Sequence, residues 1–235
     1  MAPVVSLRAA VALTGRFPAL AGADLTVGSG EVVVLDGANG AGKTTLLRVC
    51  AGLVPVTGGE AVVLGYDLRR SHTAVRRQVG MLGHAPALYD DLTVLDNVRF
   101  AVRAAAGDPA RVDAAMERLG LVGRLRRTPV VRLSAGQRRR VSLAVLVARR
   151  PPLWLLDEPH AALDAATRRL LGELVEEAAT GGATVLLASH EPDAALPLAD
   201  RVVTMGGGRV LGECDGWRGR SLGPSPRAVG GSHVA

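Results

Sequence analysis

Three stretches of the chain are almost uninterruptedly apolar: residues 31–36 (EVVVLD), 153–157 (LWLLD) and 183–188 (ATVLLA). A strand covered on both faces has this pattern, because side chains on either side of the pleat must then meet a core. Helical patterns stand between and after them. One is expected over residues 46–52, one from Ser134 to about 148, closed by Arg149-Arg150-Pro151-Pro152, and one over about 165–179. Ser134 and Gln137 have the S-x-x-Q spacing of a capping box, which leaves a positive helix end facing outward. Thr93 and Asp96 likewise suggest a cap. The longest apolar run, residues 143–148, is far short of the roughly 18 residues that span a bilayer, so no transmembrane helix is expected. Residues 9–13, after Arg8, are cut off by Gly15 and Arg16 and make no secretory signal, so a cytoplasmic location is expected.

Composition narrows the function classes. The 235 residues are 48% hydrophobic and only 3% aromatic, a globular chain poor in the platforms on which single-stranded nucleic acid stacks. A net charge of +6 admits an anionic partner without identifying one. Cys50 and Cys214 are far apart and have no Cys or His at metal-ligand spacing. The 28 basic residues include a single lysine, Lys43, in a chain that otherwise uses arginine throughout.

Lys43 lies in Gly37-Ala38-Asn39-Gly40-Ala41-Gly42-Lys43-Thr44-Thr45, directly after the first apolar strand and before a helix. The spacing is G-x-x-x-x-G-K-[ST], in which glycines let main-chain N–H groups close around phosphates at a helix N-terminus. Lys43 would give a compact charge to the β- and γ-phosphates, and Thr44 a hydroxyl to Mg²⁺. A guanine-specific enzyme needs a further lysine to read its base, and none is present. The strand over residues 153–157 ends in Asp157 and Glu158. A strand-end Asp can hold Mg²⁺, directly or through water, and an adjacent Glu can act as general base toward the attacking water.

With Leu133-Ser134-Ala135-Gly136-Gln137 between these motifs, and Asp164 and His190 after them, the sequence resembles the ATP-binding subunit of ABC transporters over nearly its whole length. The resemblance implies that residues 37–45 are the Walker A loop, 133–137 the signature, 153–157 Walker B, Glu158 the catalytic base, Asp164 the D-loop acid and His190 the switch histidine that contacts the γ-phosphate. Phe17 is the candidate to stack on adenine. It further implies ATP and Mg²⁺, integral membrane partner subunits, a place on the inner face of the cell membrane, and a head-to-tail dimer, with a homodimer favoured. In that dimer Ser134 and Gly136 would bind the γ-phosphate held by the other chain's Lys43. No nucleic acid partner is expected.

The expected fold class is α/β: a P-loop ABC ATPase core with an antiparallel β edge and an inserted helical lobe. Residues 1–211 make the ATPase domain, with the lobe over about 88–149, and residues 212–235 read as a flexible basic tail rich in Gly, Ser, Pro and Arg.

One departure narrows the family. His84 stands where most members have the Gln that reaches Mg²⁺, and neutral imidazole is a poor ligand for that hard cation. The run Leu-Gly-His84-Ala-Pro-Ala-Leu-Tyr89, residues 90–97, and Ala135 in the signature together look like the haem-exporter ATPase of cytochrome c maturation. Export of a drug, peptide or lipid is the rival, since substrate choice lies largely in membrane subunits. A soluble ABC ATPase of DNA or translation work stands behind both, because the stretch between Lys43 and Ser134 has no room for the long coiled coil those proteins carry.

Overall fold

A computed structural model of the chain describes residues 2–218. Its strands are β1 (Val5–Thr14), β2 (Phe17–Val27), β3 (Val32–Asp36), β4 (Gly58–Val63), β5 (Tyr66–Asp67), β6 (Val79–Leu82), β7 (Leu153–Asp157), β8 (Thr184–Ala188), β9 (Arg201–Gly206) and β10 (Arg209–Asp215). The principal helices are α1 (Lys43–Cys50), α2 (Leu68–Gln78), α3 (Val94–Ala104), α4 (Arg111–Arg118), α5 (Ala135–Arg149) and α6 (Ala165–Thr180).

Two sheets form. The larger runs β10-β9-β3-β8-β7-β6, parallel except for β10, which pairs antiparallel with β9. The smaller, β2-β1-β4-β5, is antiparallel throughout. Period-2 alternation explains why the parallel strands are apolar at every step. Val33, Leu35, Leu155, Leu186 and Val203 face a core shared with α1 and the antiparallel sheet, whereas Val32, Val34, Leu156, Val185 and Leu187 face a second core built with α3, α5 and α6. This is the expected mixed α/β class with an antiparallel edge.

Helices α3 to α5 lie in the stretch expected as the lobe. Their buried Val98, Val102, Met116 and Leu143 belong to the same apolar cluster as Leu156 and Leu187 of the sheet. Both sequence-read caps form. The Thr93 hydroxyl accepts from Asp96 N at 3.1 Å, and Ser134 and Gln137 complete a reciprocal box at 3.2 and 2.9 Å. The parallel arrangement carries the C-terminal ends of β3, β7 and β8, and the loops that follow them, to one edge of the sheet.

One boundary needs correction. Composition assigns residues 212–215 to the tail, but β10 pairs with β9 as far as Asp215. Beyond it, Gly216 N donates to Asp200 O at 2.7 Å and Arg218 N to Ala199 O at 2.8 Å. Main-chain pairing overrides the Gly-rich composition there. The rest of the expected tail, residues 219–235, lies outside the described residues.

Candidate functional site

The glycine-rich loop joins β3 to α1, and its shape depends on residues without a side chain. Gly42, the N-cap of α1, has φ +106°, and a Cβ there would lie 2.8 Å from the carbonyl oxygen of Ala19. Gly37 has φ +140°, with Met205 O only 2.3 Å from where a Cβ would stand. Ala38, Asn39 and Gly40 are exposed at the crest, Ala41 is buried, and Thr45 is half-buried in the first turn of α1. Ala41 N donates back to Ala38 O at 3.1 Å, and Gly208 N donates to Ala41 O at 3.0 Å. Lys43 is buried, with its ammonium donating to Gly37 O and, at 3.3 Å, to Ala38 O. The sole lysine therefore lies inside the curl of the loop, beside the free N–H groups that open α1.

The strand-end carboxylates meet this loop. The Thr44 hydroxyl donates to Asp157 Oδ1 at 3.0 Å, joining residues 113 positions apart. Asp157 is buried and Glu158, next along, has a left-handed backbone with φ +48°. Glu158 N donates to Ala188 O at 2.9 Å, which ties the turn after β7 to the end of β8. Two residues beyond β8, His190 Nδ1 lies 2.7 Å from Glu158 Oε2. That hydrogen bond, then the charge of Glu158, holds the imidazole above its ordinary pKa of 6.5. Lys43, Thr44, Asp157, Glu158 and His190 are thus brought into one constellation by three parallel strands.

Other candidates are placed differently. Ser134, Gly136 and Gln137 open α5, with both polar side chains engaged in the capping box; no hydrogen bond among the described residues links them to Lys43 or Thr44. Asp164 caps α6, accepting from Thr167 N at 2.7 Å, and this bond holds its carboxyl below the usual range. His84 is exposed and lines a cleft of about 480 Å³ with Leu133, Arg138 and Ala162. Phe17 is 80% exposed at the start of β2, two residues before Ala19, whose carbonyl abuts Gly42.

Two residues escaped the motif reading. His160 is buried, its Nδ1 has no hydrogen-bond partner, and burial pushes its pKa down. Arg139 is buried on the face of α5 that also carries Leu143 and Leu146. The spacing i, i+4, i+7 was a visible signal that this arginine points inward.

Residues 20–161 match the ABC transporter family. The cytochrome c biogenesis ATP-binding export protein CcmA of Rhodopseudomonas palustris (strain BisB18) is 41% identical over 187 residues, covering 80% of this chain and 90% of that protein. The sulfate/thiosulfate import ATP-binding protein CysA 2 of Rhizobium meliloti (strain 1021) is 42% identical over 205 residues, covering 83% of this chain but 55% of that longer protein. Among solved structures, a dimeric ATP-binding cassette in a post-hydrolysis state, bound to ADP and Pi, superposes with a TM-score of 0.82 at 27% identity, covering 92% of this chain and 99% of that one.

Proposed function

The chain belongs to the ABC transporter family, as an ATP-binding subunit, and on that premise we propose that it hydrolyses Mg²⁺-bound ATP to drive haem export for cytochrome c biogenesis. The observation that carries the hydrolytic reading is the constellation at the strand ends, where Thr44 meets Asp157 at 3.0 Å and Glu158 meets His190 at 2.7 Å.

The residues fit their expected tasks. The loop N–H groups and Lys43 bind and orient a triphosphate, with the ammonium moving from loop carbonyls to phosphate oxygens. Thr44 and Asp157 present adjacent hard oxygen donors, the set that suits Mg²⁺. When bound, Mg²⁺ would supply charge neutralisation across the phosphates. Glu158 takes the proton from the attacking water, and His190, on a separate loop, steers its carboxylate and reaches toward the γ-phosphate. Asp164 at the start of α6 belongs to the same edge. Phe17, exposed beside the loop, is available to stack on adenine.

Ser134 and Gly136 complete the site of a second copy in a head-to-tail dimer. The exposed, capped end of α5 supports this, since it can present main-chain N–H groups to a phosphate and, among the described residues, has no hydrogen bond to the loop of its own chain. Integral membrane subunits complete the transporter, which puts this chain on the inner face of the membrane. His84, exposed on its loop, serves contact with them better than metal ligation.

Haem export is favoured over sulfate import because the chain spans 90% of the export relative and 55% of the import relative. In a deletion strain, covalent haem staining of membrane cytochromes c should vanish and return with the wild-type gene but not with Glu158→Gln. Normal staining combined with lost growth on sulfate would assign the chain to import.

A further inference from the structure

The guanidinium of Arg139 is buried where three functional segments converge. Nη1 donates to Gly83 O at 2.5 Å, in the loop that carries His84. Nη2 donates to Glu158 O at 2.6 Å and to Asp157 O at 3.2 Å, and Nε reaches Pro159 O at 3.4 Å. Every one of these acceptors is a main-chain carbonyl. Burial pushes its pKa down, against the opposing pull of the Asp157 and Glu158 charges.

This arrangement does more than fill space. A buried cation with only carbonyl partners is costly, and a hydrophobic side chain would pack α5 without that cost. What only a planar fork with five donors achieves is to hold carbonyls from two loops at fixed separations. One of those carbonyls belongs to Glu158, whose φ of +48° is a conformation that a residue with a side chain keeps only when its surroundings enforce it. The carboxylate leaves from that same Cα toward His190.

We propose that Arg139 is a positioning residue for Glu158: it clamps the left-handed turn after β7 from the signature helix and locks it in register with the His84 loop. The inference rests on the reading of Glu158 as general base. Arg139 meets Asp157 only at its main-chain oxygen, leaving the carboxylate to Thr44, and among the described residues it makes no hydrogen bond to the glycine-rich loop, so its loss disturbs the aim of the base far more than the grip on ATP. It also makes α5 the mechanical link by which a displacement of the His84 loop reaches the base.

The test is a double-mutant cycle in the full chain with Mg²⁺ and ATP. Arg139→Lys keeps the charge but not the fork, and should lower kcat roughly 10- to 100-fold while KM for ATP stays within about twofold. In the Glu158→Gln background, the same substitution should change residual single-turnover hydrolysis by less than about twofold, because the base it positions is already gone. Arg139→Gln should behave alike. Equal fold losses in both backgrounds would overturn the proposal and leave a structural role. So would kcat near wild type, or failure of both variants to unfold cooperatively. Wild-type turnover by Glu158→Gln alone would instead sink the reading of Glu158; a deficient Glu158→Gln beside a normal Arg139→Lys would sink only the inference.

Discussion

His190 Nδ1 stands 2.7 Å from Glu158 Oε2, and the main-chain N–H of His190 points at the same oxygen at 3.3 Å. One carboxylate oxygen is thus held from a neighbouring strand's loop, and no hydrogen bond among the described residues engages the other. This pairing makes the protonation of His190 a reporter on the Glu158 carboxylate.

The imidazole pKa is raised above 6.5, first by the hydrogen bond to Glu158 and then by its charge. The stabilisation from the pair is therefore complete below the ordinary histidine value and is lost as pH rises through the raised one. An NMR titration of the His190 ring should show a midpoint above 6.5 that falls back toward the ordinary value in Glu158→Gln. A midpoint indifferent to that substitution would remove the pairing.

Lys43→Arg should fail although it keeps the charge. The ammonium sits inside the curl of the loop, against Gly37 O and Ala38 O, where a planar fork does not fit. Calorimetric titration with ATP should show affinity reduced roughly 10- to 100-fold, the loss of a charged hydrogen bond or two. Unchanged affinity would contradict the close fit.

Gly42→Ala should cost about 1–3 kcal/mol in urea unfolding, because a positive φ is strained for any residue with a Cβ. The Cβ would also stand 2.8 Å from Ala19 O, a main-chain atom that cannot swing away. Gly40→Ala, with nothing within 4 Å of its Cβ, serves as the control for positive φ without a clash. Equal midpoints for the two variants would discard the steric part of the argument.

What could be read from the sequence follows from how local the signals are. β3, β7 and β8 were legible because both of their faces are buried, and the glycine-rich loop because its glycines and lysine are contiguous. The antiparallel sheet was harder. β1 is interrupted at Ala9, which has φ +44° and donates to Asp24, so its apolar alternation changes phase midway. α2 contributes only Leu68 and Val75 to the interior and breaks helical geometry at Ser71, leaving no apolar stripe to read. The partners of Arg139 come from loops 20 and 56 residues away, and no local pattern encodes such a meeting.

The central claim is that Glu158 takes the proton from the attacking water, and Glu158→Gln tests it most directly. The amide keeps the size of the side chain but cannot accept that proton. With purified chain, Mg²⁺ and ATP, steady-state phosphate release should fall roughly 10²- to 10⁴-fold, while the ATP dissociation constant stays close to that of the unaltered protein. A nucleotide-bound dimer should accumulate as turnover stops. Phosphate release at the wild-type rate, with binding intact, would contradict the account.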